Sequence, residues 1–315
     1  MNEFKLIEHI RGKFARQKGS KNIVLGIGDD CSIIKTPNGF QQVTTVDSLV
    51  EGNHFSLKYF TPREIGRKAL RVNLSDLASM GATGPYYAWL VFAIPKNVKD
   101  STIKRILDGV SDDCRRYSVT LAGGNLTSSN QFSIHVTLTG WVRPRKALSR
   151  SGARVGNLIY VTGTVGPSSV AYRQFKAGLK PDAVCLKRWA NPVPKLHIGE
   201  FLQERRVATA CIDISDGIFQ DLGHLISSSG VGAILEWNHI PLAPKLKKMK
   251  PTPHTIGFGE DYELLFTVPP KKEKLLTPVK NEITQIGQVV KKGFKLLDEK
   301  GRKMNITNIG YSHFT

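Results

Sequence analysis

Short acidic motifs at the ends of apolar segments are the main constraint on how this chain folds. The chain as a whole is basic, with 45 lysines and arginines against 26 aspartates and glutamates, a formal net charge of +19. Five motifs set their acids among small residues: Gly26-Ile27-Gly28-Asp29-Asp30, Thr45-Val46-Asp47, Asn73-Leu74-Ser75-Asp76, Asp213-Ile214-Ser215-Asp216-Gly217 and Gly259-Glu260-Asp261-Tyr262-Glu263. Mg²⁺ is commonly bound by a few carboxylates together with substrate phosphates. The pattern therefore indicates metal-dependent phosphate chemistry.

Length and composition are those of an ordinary globular protein. The chain has 315 residues, of which 40% are hydrophobic and 23% charged, and this length favours two domains with a large core. No uninterrupted apolar run approaches the roughly 20 residues that span a bilayer. The charged segment Met1–Gln17 predicts an amphipathic helix rather than a signal peptide, since Phe4, Ile7, Ile10 and Phe14 recur at helical spacing. We therefore expect a cytoplasmic protein without membrane association.

The cysteines and the basic excess indicate no further chemistry. The four cysteines are widely spread and form no Cys-x-x-Cys pair, so we expect buried or partly buried reduced thiols. The lysine runs contain no aromatic side chains on which bases could stack: Lys245–Lys250, Lys271–Lys274 and Lys291-Lys292. A polyanion site is therefore the less favoured alternative to a solvated surface. A positive field also helps to gather anionic nucleotides.

Strand-like and helix-like segments alternate along the chain, which predicts an α/β or α+β fold. We expect strands at Gln42–Asp47, Ala88–Ile94 and Phe132–Val142 in the first half, at Leu158–Val161 and Ala208–Ile212 in the second, and near Ile283–Val290 and Phe294–Leu297 in the tail. The segment Phe132–Val142 alternates apolar and polar residues, which is typical of a half-exposed antiparallel strand. A composition shift near residues 145–157 predicts two domains, residues 1–148 and 149–315.

Two helices are predicted in the first half. Thr61 can cap a helix whose first position is Pro62, and Glu64 completes a capping box. This helix should run to about Met80, with Gly81 available to end it. A second helix, Ser101–Tyr117, is expected to turn four apolar positions inward: Ile103, Leu107, Val110 and Cys114.

Each acidic motif has a structural as well as a functional interpretation. Asp76 lies on an otherwise apolar stretch, where a carboxylate is costly unless it is paired or coordinates a cation. The Gly123-Gly124 pair can present backbone N–H groups to a phosphate, although the signal is weak alone. Ser215 or Asp216 can cap the helix that follows, but capping accounts for only one polar group of that motif.

Taken together and in order, these motifs resemble those of the thiamine-monophosphate kinase family, within the AIR-synthetase-like superfamily. The similarity extends over essentially the whole chain, with few insertions. Its most specific parts are Asn73-Leu74-Ser75-Asp76-Leu77-Ala78 and Gly259-Glu260-Asp261-Tyr262-Glu263-Leu264; the ending Gly310-Tyr311-Ser312-His313-Phe314 also matches.

The resemblance implies a fold and a reaction. The fold would be an N-terminal α/β domain whose sheet pairs with that of a dimer mate to form a shared barrel, followed by a C-terminal α/β domain. The reaction would be direct in-line transfer of the γ-phosphoryl group of ATP to the phosphate of thiamine monophosphate, in thiamine diphosphate biosynthesis. The acceptor is already an anion, so no covalent nucleophile is needed; several Mg²⁺ ions would neutralise the two phosphates.

The resemblance also implies roles for individual residues. Metal ligands would be Asp30, Thr45, Asp47, Asp76, Asn125, Asp213 and Asp216. ATP would be contacted by Gly124, Asn125, Arg150 and Ser215, and thiamine monophosphate by His54, Glu260 and Tyr311. The partners are thus two small molecules and a second copy of the chain in a homodimer, with no nucleic acid.

Two positions depart from the family pattern. Asn125 stands where the family has aspartate, and Val46 where it has threonine; both family residues belong near one Mg²⁺. We therefore predict that this metal is bound with lower affinity here. Two alternatives stay open. One is another ATP-using member of the superfamily, such as a selenophosphate synthetase or a hydrogenase-maturation protein. The former commonly carries a reactive cysteine or selenocysteine in a glycine-rich N-terminal segment, and none is visible here. The other is a basic nucleic-acid-binding protein whose kinase site has decayed.

Overall fold

Two mixed β-sheets form the framework of the part of the chain that the computed structural model describes, residues 22–26, 28–36, 39–307 and 309–310. The first sheet has the order β1-β2-β3-β6-β4-β5 and is built from β1 (Ile23–Leu25), β2 (Ser32–Lys35), β3 (Gln41–Val50), β4 (Thr83–Ile94), β5 (Val119–Ser128) and β6 (Ser133–Val142). Its strands are antiparallel except for the β4–β5 pair. The helix predicted at Met1–Gln17 and the predicted ligand Tyr311 lie outside the described residues.

The second sheet comes from the other half of the chain and has the order β13-β12-β9-β11-β7-β10-β8. Its strands are β7 (Leu158–Thr162), β8 (Ala210–Asp213), β9 (Gly232–Glu236), β10 (Leu264–Val268), β11 (Ile283–Val290), β12 (Phe294–Leu297) and β13 (Lys303–Met304). Only β9 and β12 pair in parallel among the described strands of this sheet. The α/β class is confirmed.

Helices connect and cover the sheets. They are α1 (Pro62–Ser79), α2 (Asp100–Tyr117), α3 (Pro167–Lys176), α4 (Ala183–Ala190), α5 (Leu196–Glu204), α6 (Ile218–Ser229), α7 (Pro244–Lys248) and α8 (Pro253–Ile256), with 3-10 helices at Trp237–His239 and Pro270–Val279. Helix α1 packs on β3 and β6 of the first sheet and also contacts β8 and α5 of the other half. It therefore joins the two halves.

Helix α1 begins and ends where its sequence predicts. The Thr61 side chain accepts from the Glu64 N–H, and the Glu64 carboxylate accepts from the Thr61 N–H, so the capping box is complete. At the other end Gly81 has a φ of +65°. Helix α2 crosses α1 closely, since a Cβ on Gly66 would lie 1.9 Å from the Ile106 carbonyl oxygen. Gly66 therefore allows the two helices to pack closely.

The inward face of α2 differs from the prediction. Its buried residues are Ile106, Gly109, Val110 and Asp113, whereas Leu107 is 39% exposed. The close approach of Gly109 to the Arg63 carbonyl sets the rotation of the helix, and the buried Asp113 pairs with Arg71 of α1. The periodicity of apolar residues alone does not predict an inward-facing polar residue such as Asp113.

The first sheet is covered on one face and open on the other. Phe132, next to β6, and the β6 residues Ile134, Val136 and Leu138 are all buried, as the alternation predicts. The opposite face presents large apolar side chains to solvent, among them Val46 of β3, 65% exposed, and Trp89 of β4, 41% exposed. Such a face is unusual for a monomer and typical of an association surface.

Two expectations from composition can be compared with the structure. All four cysteines are free; three are buried and Cys114 is partly exposed, as expected. Within the described ranges, every helix is too short or too polar to cross a lipid bilayer.

Candidate active site

All five acidic motifs meet at one cavity beside α1, with a volume of about 480 Å³. Its lining residues come from both halves of the chain: Asp29, Asp30, Val46, Asp47, Ser48, Leu49, Val50, Asn53, His54, Val72, Asp76, Arg150, Ser215, Asp216, Glu260 and Tyr262. The motifs that the sequence predicts to act together therefore lie close together in the structure. Half of the polar side chains that line this cavity are acids.

Three carboxylates form a cluster at this cavity, in which Asp30 and Asp76 line the cavity and Asp213 is buried beside them. Oxygens of Asp30, Asp76 and Asp213 lie within 4.8 Å of one another. Each accepts a hydrogen bond from a hydroxyl group: Ser79 Oγ to Asp30 Oδ2 at 2.8 Å, Thr45 Oγ1 to Asp76 Oδ2, and Ser75 Oγ to Asp213 Oδ2 at 2.6 Å. Thr45, predicted as a metal ligand, therefore touches this cluster through Asp76. The hydroxyls fix the orientation of the carboxylates but add no positive charge.

Burial and mutual repulsion make the ionised cluster unfavourable without a cation. Burial, followed by the charges of neighbouring acids, raises the pKa of Asp76 well above its ordinary value, and the pKa of Asp213 shifts the same way for the same causes. The adjacent Asp29 has a pKa of about 6, raised by burial and by Asp30. The cation in contact with Asp30 is Arg150, whose Nε lies 3.1 Å from Oδ1. A cluster of hard, negatively charged oxygens in this arrangement fits a divalent cation such as Mg²⁺.

These shifts predict how stability depends on pH in the absence of metal. The raised pKa values of Asp76 and Asp213, with those of Asp29 (about 6) and Asp261 (about 7), mean that the folded state binds more protons than the unfolded state near neutrality. Unfolding free energy should therefore increase as pH falls from about 8 to about 6. The buried His224, with its pKa lowered to about 4, opposes this only below its unfolded value of 6.5.

Thermal unfolding in EDTA across this pH range checks the prediction. We expect the midpoint to rise on acidification with EDTA and to change less with Mg²⁺, because a bound cation favours the ionised acids. A midpoint that falls between about pH 8 and about pH 6 in EDTA would contradict it.

A second group of possible ligands lies at the start of α6. Oxygen and nitrogen atoms of Asp216, Asp221 and His224 lie within 4.8 Å of one another. The Asp221 carboxylate accepts from the N–H groups of Asp216 and Gly217, at 3.0 and 2.9 Å. The capping prediction for this helix was wrong: Gly217 is the N-cap and has no side chain. Asp221 and His224 were missed, although their spacing of three residues places them on one helix face.

The cavity also holds two of the three residues predicted to meet thiamine monophosphate. His54 and Glu260 both line it, and His54 Nδ1 lies 3.1 Å from the Val50 N–H, which donates to it. Glu260 has a φ of +63°, in the left-handed region. Sequence reasoning missed the buried residues behind them, Lys68 and Trp189, whose partners are far away in the chain.

Within one chain, the β5 residues that were predicted to contact ATP do not line this cavity. Gly124 and Asn125 lie on the edge strand β5 and are exposed. The strand register aligns Asp47 of β3 with Val136 of β6, Leu90 of β4 and Gly124 of β5. Three steps between strands correspond to about 14 Å. Arg150 and Ser215, by contrast, lie at the cavity itself.

Comparison with family models matches both halves of the chain. Residues 28–142 match the AIR synthase related protein, N-terminal domain, and residues 154–298 match the AIR synthase related protein, C-terminal domain. The chain is 36% identical to the thiamine-monophosphate kinase of Buchnera aphidicola subsp. Schizaphis graminum, over 99% of each chain. It is 34% identical to that of Haemophilus influenzae, over 100% of this chain and 98% of the relative.

Comparison with solved structures gives the same relationship. The structure described as AaThiL complexed with AMPPCP and TMP superposes with a TM-score of 0.84 at 29% identity, covering 99% of this chain and 97% of that one. The similarity therefore extends over both halves of the chain.

Proposed function

This chain belongs to the thiamine-monophosphate kinase family, and we propose that it transfers the γ-phosphoryl group of ATP to the phosphate of thiamine monophosphate, giving thiamine diphosphate and ADP. The observation that supports this most directly is the meeting of the five acidic motifs at one cavity. Asp30 and Asp76 of the carboxylate cluster line this cavity together with His54 and Glu260. We propose that both phosphates and the thiamine group bind in this cavity.

Phosphoryl transfer between two phosphates requires that they be positioned and that their negative charges be neutralised. The acceptor phosphate is itself the nucleophile, so its attack needs no deprotonation by the protein. We propose that Asp30, Asp47, Asp76 and Asp213 hold Mg²⁺ ions, with Thr45 and Asp216 contributing at the edges of the site. Bound Mg²⁺ would neutralise the repelling phosphates and template their alignment.

Arg150 contributes a positively charged side chain to the cavity, in addition to the proposed Mg²⁺ ions. Its side chain lines the cavity, and its guanidinium can make charge-assisted contacts to nucleotide phosphate oxygens. Ser215 also lines the cavity and is proposed to contact ATP. No side chain forms a covalent intermediate in this scheme.

We propose two domains, residues 1–148 and 149–315, and a homodimer. The family-model matches at 28–142 and 154–298 support a boundary between them. The exposed apolar face of the first sheet supports self-association, since Val46 and Trp89 would otherwise remain in water. In such a dimer the first sheets of two copies would form the shared barrel, and β5 of one copy could reach the cavity of the other.

Asn125 and Val46 are proposed to weaken one Mg²⁺ site. A neutral amide oxygen replaces a carboxylate and a valine replaces a hydroxyl, so the charge and number of ligands are both lower. Replacing Asn125→Asp together with Val46→Thr should lower the Mg²⁺ concentration for half-maximal activity by about threefold or more. A Mg²⁺ titration of both proteins checks this, and Ser128→Thr, farther along β5, serves as a control. An unchanged titration curve would show that these residues do not determine Mg²⁺ affinity.

A coupled assay with purified protein, ATP, Mg²⁺ and thiamine monophosphate tests the proposed function. We expect thiamine diphosphate and ADP in equal amounts, with turnover that requires Mg²⁺. Absence of turnover across a range of Mg²⁺ concentrations would overturn the proposal.

A further inference from the structure

One buried ammonium group links the two described residues that we assign to thiamine monophosphate. Lys68 lies on α1, and its side chain is 0% exposed. Its Nζ donates to the main-chain carbonyl of His54 at 2.8 Å and to Oε2 of Glu260. A single cation from the first half of the chain therefore connects the loop that carries His54 with the loop that carries Glu260.

Aromatic rings enclose this ammonium group. Nζ of Lys68 lies 5.4 Å from the centre of the Phe60 ring and 5.1 Å from that of the Trp189 ring. Both contacts are favourable for a desolvated cation. The indole N–H of Trp189 donates to Oε2 of Glu260 at 3.0 Å. Two donors therefore hold the same carboxylate oxygen.

The other oxygen of Glu260 is available to a ligand. Among the described residues, Oε1 receives no hydrogen bond, while the side chain lines the cavity. The main chain is fixed as well, because the Glu260 N–H donates to the Ser215 carbonyl at 2.8 Å. A Cβ on the preceding Gly259 would lie 2.1 Å from that carbonyl oxygen, so the loop packs directly on the neighbouring motif. Glu260 is thus held at both its backbone and its carboxylate.

We propose that Lys68 is a positioning residue that orients Glu260 and the His54 loop to recognise an N–H donor on the substrate. Because the ammonium group already compensates the charge of the carboxylate, Glu260 presents a hydrogen-bond acceptor rather than a net negative charge. Thiamine has two rings that Glu260 could contact. The aminopyrimidine is neutral and has N–H donors, whereas the thiazolium is positively charged and has none. The pairing with Lys68 assigns Glu260 to the aminopyrimidine. This inference rests on the proposed function.

The variant Lys68→Met tests the proposal, because it keeps the length of the side chain and removes its charge. We expect KM for thiamine monophosphate to rise by about 10- to 100-fold, while KM for ATP changes by less than about threefold. The exposed Lys58, whose ammonium lies 5.2 Å from the Tyr59 ring, offers a matched control, and Lys58→Met should leave both values unchanged. An equal rise in both KM values, or no rise, would overturn the role of Lys68.

Oxythiamine monophosphate distinguishes recognition of the amino group from recognition of charge, since it replaces the amino group and keeps the thiazolium. The wild-type protein should disfavour it by about tenfold or more, and Lys68→Met should lose most of this preference. Equal use of both compounds by the wild-type protein would contradict the assignment to the aminopyrimidine.

Two further measurements separate folding and function. The double variant Lys68→Met/Glu260→Gln removes both buried charges, so it should fold even if the single variant does not. Its KM for thiamine monophosphate should be close to that of Glu260→Gln alone, because Lys68 acts through Glu260.

Calorimetric titration with thiamine monophosphate completes the test. Binding by the wild-type protein without turnover would contradict only the proposed function, whereas equal binding by the wild-type protein and Lys68→Met would contradict only the role of Lys68.

Discussion

Replacing Asp76→Asn should abolish phosphoryl transfer and, at the same time, stabilise the metal-free protein. The carboxylate of Asp76 lies within 4.8 Å of those of Asp30 and Asp213. Burial and these neighbouring charges raise its pKa, so its ionised form opposes folding at neutral pH. Asparagine removes this charge, keeps an oxygen for the Thr45 hydroxyl, and offers an N–H to a neighbouring carboxylate. Function and stability should therefore change in opposite directions.

The expected size of each effect follows from the same geometry. Loss of one buried ligand in a shared cluster should reduce kcat by about 1,000-fold or more, since both phosphates depend on the same cations. Without metal, the unfolding midpoint should rise by roughly 1–2 °C for each 1 kcal/mol of relieved repulsion. Added Mg²⁺ should stabilise the wild-type protein more than the variant. Activity and thermal unfolding, with and without EDTA, give all these values.

A second aspartate provides a control of opposite sign. Asp112 lies at the surface of α2, where hydrogen bonds from Arg63 and Arg67 hold the pKa of its carboxyl well below the usual range. Replacing Asp112→Asn should slightly lower the unfolding midpoint and leave activity unchanged. If Asp76→Asn instead destabilised the metal-free protein while keeping its activity, the cluster would be a structural network rather than a cation site.

Local signals in the sequence determine the parts of the fold that were predicted correctly. The limits of α1 depend on contacts within a few residues, since the Thr61–Glu64 capping box and Gly81 act on their own helix ends. The strand β6 was predicted because its apolar residues alternate. The presence of an acidic cavity followed from motif composition together with family resemblance. These features need no knowledge of which distant segments meet.

Two polar contacts, one between distant residues and one within a helix, account for what was missed. Lys68 and Glu260 are separated by 192 positions, and nothing near Lys68 in the chain distinguishes it from a surface lysine. The N-terminus of α6 was misassigned because Asp221, inside the helix, supplies the carboxylate that Ser215 or Asp216 was expected to provide. In both cases the partner of a polar group is a side chain that periodicity and capping rules do not identify.

The position of β5 leads to the other prediction with a large effect, which concerns how the site would be divided between two copies of the chain in the proposed homodimer. Gly124 is about 14 Å across the first sheet from Asp47, as three steps between strands imply. The exposed Val46 and Trp89 show that the same sheet has an apolar face available for a second copy. If the dimer places β5 over the cavity of its partner, each site combines the acids of one chain with Gly124 of the other. Variants in the two elements should then complement each other.

Mixing Asp76→Asn with Gly124→Ala tests this division directly. A Cβ at position 124 would lie 1.9 Å from the Leu90 carbonyl oxygen, so alanine must displace β5 and its N–H groups, and each variant alone should be nearly inactive. After unfolding and refolding together, half of the dimers contain one chain of each kind, and one of the two sites in such a dimer has both intact elements. Activity should therefore recover to about a quarter of the wild-type value. Gly223→Ala, where a Cβ would meet nothing within 4 Å, controls for substitution of glycine itself. If each site lies within one chain, the mixture stays as inactive as its components, because every site then carries one of the two substitutions.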